Sequence, residues 1–446
     1  MSASGLEASG LKIMVRRFAI GFLFLVLLGV AAFAAIAWKP SIAPVATPAR
    51  DSFSADLVER GRLVAAAGYC TACHTPPGGA PLAGGLGFAS QYGTLYSTNI
   101  TPDPQHGIGV WSETAFVRAM REGVARDGSH LFPAFPYTHF ALASDEDLHA
   151  LYAWVMTQPP VASDPPSNTV RFPFNVRALQ AGWKLLFFRG GRFVPEPGKS
   201  EAWNRGAYLA EGLSHCGACH TPRNAVAAEK GGADRYAGAM VEGWYAPPLT
   251  DANPSPVAWT REAMAEFLGR GGTALHGVAA GPMSETVHGG LDQLPDSDRE
   301  AIGTYFADLA GSKARDSGEP QIVATALQRS ATGTAGRGDD PGAELYRATC
   351  AYCHYNRGEA ALQRPELALN SALTAPDPDN LVQVILHGVS VKDGLPGLMM
   401  PPYANTLSDH DIAQLAAWLR KTRTDQAPWP DLERRVEQIR RESPVT

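Results

Sequence analysis

All six cysteines of this 446-residue chain fall in three close pairs, and each pair runs straight into a histidine. The sites read Cys70-Thr71-Ala72-Cys73-His74, Cys216-Gly217-Ala218-Cys219-His220 and Cys350-Ala351-Tyr352-Cys353-His354. No cysteine is left over for a disulfide, a zinc site of four cysteines or an iron–sulfur cluster of the chain's own. A thioredoxin-type dithiol follows a strand in a βαβ setting, which is absent here. C-x-x-C-H is instead the attachment signature of haem c. Two thiols add to the two vinyl groups of one porphyrin, and the adjoining histidine ligates its iron. Three copies predict three covalently bound haem c groups, with His74, His220 and His354 as iron ligands.

Phe18 to Trp38 is an uncharged, almost wholly apolar run preceded by Lys12, Arg16 and Arg17. At 1.5 Å per residue a helix of that length crosses a hydrocarbon core of about 30 Å. The basic flank stays cytoplasmic, which puts the remainder of the chain in the periplasm, on a single anchor in a bacterial inner membrane. A cleaved signal peptide is the other reading, because Ala35-Ile36-Ala37 resembles a cleavage site; either reading exports the chain. The net charge of −6 and the absence of a long Lys/Arg cluster set nucleic acid aside as a partner.

The length leaves room for about three domains. After the anchor (residues 1–39) and a Pro-rich spacer (40–53) that holds the first domain off the membrane, one pattern recurs three times. A short helix leads into the cysteine pair, a Gly/Pro-rich middle follows, and an amphipathic helix closes the unit. The opening helices are expected over 54–68, 201–213 and 341–349. The closing helices are expected over 145–157, 297–309 and 409–421, started by Ser144, Pro295/Asp296 and Ser408. Alternating, strand-like stretches are scarce, so the fold class is all-α. The boundaries follow as 54–165, 201–311 and 339–425 for the three units, with an aromatic and basic connection (166–200), a mobile linker (312–338) and a C-terminal tail (426–446). Residues 171–193 suit an interfacial membrane segment, a docking surface for a partner or a buried strap. Gly61, Gly206 and Gly342 on the opening helices, with Trp154, Tyr305 and Trp418 on the closing ones, predict close helix crossings.

An electron-transfer haem takes a second axial ligand, commonly Met or His. Met400, in Met400-Pro401-Pro402-Tyr403, lies between the third motif and its closing helix. Met283, in Gly281-Pro282-Met283, occupies the matching stretch of the second unit. Met399, Met240 and Met264 read as packing or surface residues. No Ser/His/Asp triad, carboxylate pair or phosphate-binding glycine loop stands out, so no catalytic site is expected.

These motifs resemble the triheme cytochrome c subunits of bacterial membrane-bound periplasmic dehydrogenases, over about residues 50–425. The resemblance implies three class-I cytochrome c domains in tandem behind an N-terminal transmembrane helix. It implies an electron-transfer subunit that passes electrons from a dehydrogenase catalytic subunit to ubiquinone. The stretches PFNVRALQAGWKLLFF, GWYAPPLT and HGVAAGPM are most similar to the branch paired with molybdopterin hydroxylases of the xanthine-oxidase type, which oxidise aldehydes or N-heterocycles. That branch implies a partner subunit with [2Fe–2S] clusters. The alternatives are a cytochrome subunit of a PQQ- or FAD-dependent alcohol or sugar dehydrogenase, or a stand-alone multihaem carrier. An enzyme related to dihaem peroxidases is a third class, and it requires an open iron position. In one place the chain departs from the pattern. The alcohol-dehydrogenase branch has Pro-Ala-Met-Pro-Tyr where this chain has Pro133-Ala134-Phe135-Pro136-Tyr137, and phenylalanine cannot ligate iron. For the first haem the candidates are then His139, in the loop before Ser144, ahead of Met120, with His130, His106, His149, Met156 and an open site behind them.

Overall fold

A computed structural model describes residues 4–312, 318–334, 340–354, 358–395 and 397–442. About half of the chain is helical. The first helix, Ser4–Ala37, contains one stretch, Met14–Ala37, long and apolar enough to cross a membrane. Its side chains from Phe18 through Leu28 face outward rather than into a protein core.

The opening and closing helices cross in pairs, and the same geometry recurs three times. Ala55–Ala67 crosses Asp145–Thr157, Glu201–Tyr208 crosses Asp296–Leu309, and Pro341–Thr349 crosses Asp409–Arg423. Each crossing is made at a glycine. A Cβ on Gly61 would stand 2.6 Å from Trp154 Cβ, one on Gly206 2.9 Å from Tyr305 Cβ, and one on Gly342 2.6 Å from the Gln414 carbonyl oxygen. Only hydrogen at these positions lets the helix backbones approach so closely. Ser144 and Ser408 cap two of the closing helices by accepting from Asp147 N and Asp411 N, as their sequence suggests.

The strands are the first departure from the expected all-helical pattern. Gly87–Ser90 pairs antiparallel with Gly93–Tyr96, Ala239–Val241 with Trp244–Ala246, and Gly272–Thr273 with Gly277–Val278. These pieces are too short to show alternation in sequence.

The core runs across the first two repeats without a break. Val64, Phe140, Leu148 and Trp154 belong to the same buried cluster as Leu209, Leu213, Ile302 and Phe306. The third repeat has a core of its own, built on Tyr346, Val382, Leu386, Ile412 and Trp418. The expected C-terminal tail is part of that core. Leu432–Glu442 forms a helix that buries Val436 and Ile439, and Arg435 pairs with the buried Asp379.

Two connections differ from expectation as well. Within the linker expected to be mobile, Glu319–Thr334 forms a helix with Ala326 buried and Arg329 paired to Asp425. Residues 313–317 and 335–338 of that linker lie outside the described residues. The Pro-rich stretch after the first helix does not stand free. Ile42 N donates to the Arg126 carbonyl at 2.8 Å, Val45 N to that of Val110 at 3.0 Å, and the Arg118 guanidinium to that of Pro40 at 2.7 Å. Proline bars regular structure there, yet leaves carbonyls and the remaining N–H groups free to bond laterally.

Residues 171–193 are not a buried strap. Leu179–Phe187 is helical with Ala181 buried, while Leu185 and Leu186 are 63% and 65% exposed. A Cβ on Gly182 would touch the Phe33 ring at 3.5 Å, so this helix lies against the membrane-length one. Its Lys184 donates to the Glu122 and Gly123 carbonyls at 2.5 and 2.7 Å, capping the end of the helix Glu113–Glu122.

Candidate haem-attachment sites

Each Cys-x-x-Cys-His motif follows directly on its opening helix. Tyr69 and His215, the residues just before the first and second motifs, both adopt positive φ, 51° and 34°. That left-handed turn, uncommon outside glycine, redirects the chain into a new helical turn carrying the cysteines and the histidine. Among the described residues no two cysteines pair as a disulfide. In the thiol form, before any attachment, burial pushes Cys70 and Cys216 up to about 12 and Cys73 to about 11.

The two hairpins that follow motifs one and two deliver a backbone carbonyl to the histidine. His74 Nδ1 lies 2.6 Å from the Thr98 oxygen, two residues past Gly93–Tyr96. His220 Nδ1 lies 2.6 Å from the Pro247 oxygen, immediately past Trp244–Ala246. A carbonyl accepts only from N–H, so each bond fixes the tautomer and leaves the Nε2 lone pair free for a metal. Burial moves His74, His220 and His354 below the ordinary imidazole range, which keeps them neutral and able to ligate. At His354 the Pro365 carbonyl is the backbone group that opposes burial, but Nδ1 has no partner within hydrogen-bond geometry. These donor sets fit haem c: two cysteines and one neutral imidazole at each place, the imidazole oriented by a carbonyl at the first two.

The candidate methionines share one sequence spacing. A left-handed glycine ends the third helix of each repeat: Gly123 after Glu113–Glu122, Gly271 after Arg261–Arg270 and Gly388 after Asp379–His387. Met283 and Met400 each come twelve residues after that glycine (271 + 12, 388 + 12). Both are partly buried against the cores. Met400 N and its carbonyl pair with Val389 at 2.9 Å, and Tyr403 Oη donates to the Thr349 carbonyl at 2.7 Å. Those bonds fasten the methionine segment to the helix that carries the third motif. Met399, its neighbour, is 64% exposed.

In the first repeat the position twelve residues after Gly123 is Phe135. His139 lies elsewhere. Its Nδ1 is 2.7 Å from the Glu211 carbonyl and its Nε2 is 2.9 Å from Glu229 Oε1, so neither nitrogen is free for iron. The ring closes the seam between repeats one and two, beside Gly217. Burial raises Glu229, yet the hydrogen bond and charge of His139, with Arg223, bring it below the usual carboxylate range. In this structure His139, expected as an iron ligand, bridges the two repeats through Glu211 and Glu229.

The first two motifs are also joined by contacts that their sequence does not announce. Tyr69 Oη donates to the Ser214 carbonyl at 3.1 Å. Tyr69 and His215 meet edge to face, 5.0 Å between centroids. After burial, the next influence on Cys73 is Cys219. The second and third repeats meet at their methionine segments. Ser284 Oγ donates to Asp393 at 3.0 Å and His288 Nε2 to the Gly394 carbonyl at 2.8 Å. The Trp244–Ala246 strand meets the helix Asp379–His387 through Tyr245 and Asn380, bonded in both directions.

Helices crossing at glycine, free cysteine pairs and carbonyl-oriented histidines define a c-type cytochrome. Residues 338–419 match the family described as cytochrome C oxidase, cbb3-type, subunit III. The fructose dehydrogenase cytochrome subunit of Gluconobacter japonicus is 37% identical, over 81% of this chain and 78% of the relative. The gluconate 2-dehydrogenase cytochrome c subunit of Pantoea cypripedii is 37% identical, over 83% and 87%. A nicotinate dehydrogenase subunit of Pseudomonas putida is 45% identical over 91% of this chain, which spans about a third (34%) of that relative's length. The chain belongs to the family of cytochrome c subunits of membrane-bound dehydrogenases. It is the electron-carrying, not the catalytic, part of a dehydrogenase complex.

Proposed function

We propose that the chain is a triheme cytochrome c subunit, with three class-I cytochrome c domains in tandem, that relays electrons from a periplasmic dehydrogenase subunit to ubiquinone. Cys70 and Cys73, Cys216 and Cys219, and Cys350 and Cys353 attach one haem c each. His74, His220 and His354 would each hold an iron, with Met283 and Met400 as further ligands in the second and third units. Each haem, when bound, would supply one-electron Fe(III)/Fe(II) chemistry. The protein orients each imidazole through a carbonyl or burial, excludes water with the surrounding core, and fixes the attachment segments relative to one another.

The observation that carries the reading is the contact between these segments. Motifs one and two are locked by the Tyr69–Ser214 bond and the edge-to-face Tyr69–His215 pair, and the methionine segments of repeats two and three by Ser284, His288, Asp393 and Gly394. A chain that only stored electrons has no need of such an unbroken series.

The helix Met14–Ala37 is the inner-membrane anchor, with the repeats in the periplasm. Leu179–Phe187, beside Phe33, lies in the outer leaflet interface with Leu185 and Leu186 toward lipid. The partner is a molybdopterin dehydrogenase with a [2Fe–2S] subunit. The similarity to a nicotinate dehydrogenase subunit supports this choice, because nicotinate is an N-heterocycle, the substrate class of that branch. The fructose and gluconate relatives, matched over most of their own length, favour a sugar or alcohol dehydrogenase as the second reading. Mass spectrometry of the subunits purified with the native chain decides between them. Molybdopterin and [2Fe–2S] subunits are expected; a quinoprotein or flavoprotein dehydrogenase rejects that branch, and a chain purified free of any dehydrogenase rejects the proposal.

A further inference from the structure

We infer that the iron of the first haem receives no sixth ligand from the protein, and that Phe135 walls the face where the other two receive methionine. The inference rests on the three-haem reading above. Its basis is register between repeats one and two: Phe135 and Met283 each stand twelve residues after the left-handed caps Gly123 and Gly271, and five after the pairings Val124–His130 and Gly272–Val278, while Met400 has the same count after Gly388. The Phe135 ring packs 5.5 Å from that of Phe140. Phe140 in turn would touch a Cβ on Gly68 at 3.2 Å, so this pair lies against the segment leading into Cys70. An aromatic ring offers iron no lone pair in the plane of its carbons.

The other donors of the first repeat are accounted for. Both nitrogens of His139 are engaged by Glu211 and Glu229. His130 has Nε2 2.9 Å from the Ala37 carbonyl and Nδ1 3.1 Å from Lys184 Nζ. His106 is held by Asp103 and His149 by Glu113, on exposed or half-exposed ground. Met120 stands three residues before Gly123, where the other repeats have Leu268 and Ile385, each 4% exposed. Those repeats carry their own methionine as well, so this position belongs to the core. Met156 stands twelve residues after the cap Ser144, where the third repeat has Arg420 after Ser408. Arg420 bonds the Leu373 and Ala375 carbonyls, so that position serves packing between helices.

A five-coordinate ferrous haem behind an apolar wall accepts small, neutral, π-accepting diatomic molecules, and carbon monoxide is the probe of that class. The test uses the full exported chain, with the haem count taken first by alkaline pyridine spectra. Low-temperature EPR of the oxidised protein should show one high-spin haem for every two low-spin, and carbon monoxide should shift one haem of the reduced protein. Phe135→Met should abolish the high-spin signal and the carbon monoxide response, and add a methionine–iron charge-transfer band. His139→Ala should leave the spin ratio unchanged. Three haems that are all low-spin in the unaltered chain, or a new high-spin signal in His139→Ala, overturn the inference while sparing the relay. Fewer than three haems overturns the reading beneath it.

Discussion

Gly206→Ala tests the helix crossing where the first two repeats share their core. An added Cβ would lie 2.5 Å from Ala301 C and closer still to its oxygen, against an ordinary contact of 3.4 Å or more. The obstacle is backbone, so the helices Glu201–Tyr208 and Asp296–Leu309 must part by more than the 0.9 Å (3.4 − 2.5) that the carbonyl carbon alone requires. Helix propensity alone favours alanine by ~1 kcal/mol. Overpacking of a close-packed core costs ~1–3 kcal/mol, and a clash with rigid backbone sits at the upper end. The net loss is then about 2 kcal/mol. For a shared core of this size that lowers Tm by roughly 4–8 °C, read from Soret-band melting of the haem-loaded chain. Gly212→Ala is the control, since its Cβ would meet Leu142 Cβ at an ordinary 3.4 Å. A Gly206→Ala chain that melts at or above the unaltered one refutes the crossing geometry, because propensity would then have outweighed packing.

Met400→Ala should remove one methionine–iron charge-transfer band and lower the potential of one haem, since thioether ligation raises potential; optical redox titration reads both. Lys184 is pushed down to about 7, first by burial and then by Lys39, against the pull of Glu122. Between about 7 and its ordinary 10.5 the unfolded chain holds a proton that the folded chain has released, so this group makes stability rise with pH over that window. Lys184→Met should flatten that rise in urea midpoints taken from pH 7 to 10. Removing residues 1–39 behind a cleavable export signal should yield a haem-loaded chain free of detergent. Any remaining vesicle binding should vanish on Leu185→Glu with Leu186→Glu, since each exposed leucine contributes up to ~1.5–3 kcal/mol on burial.

What could be read from the sequence is what repeats locally. The motif sulfurs and histidines, the Ser144 and Ser408 caps and the pairing of Gly61, Gly206 and Gly342 with aromatics all follow from short-range spacing, and the helices agree with it. The hairpins did not show, because strands of two to four residues carry no period. The helix Leu432–Glu442 buries only Val436 and Ile439 in an arginine-rich stretch, and Glu319–Thr334 lies in a segment that reads as a linker by composition. The contacts of His139 were hidden for a different reason. Its partners, Glu211 and Glu229, come from the next repeat, so they depend on how two repeats dock. The Tyr69–Ser214 bond and the Tyr69–His215 ring pair are hidden in the same way, behind two left-handed residues.

The central claim is that one chain carries three haems and hands electrons between them. Intact-mass spectrometry of the exported chain, followed by peptide mapping, tests the first half most directly. The account predicts a mass gain of three haems, placed on the peptides containing Cys70/Cys73, Cys216/Cys219 and Cys350/Cys353, with each adduct lost alone when its own cysteines are changed to alanine. A fully matured chain carrying two haems or fewer, or a motif left as free thiols, contradicts it.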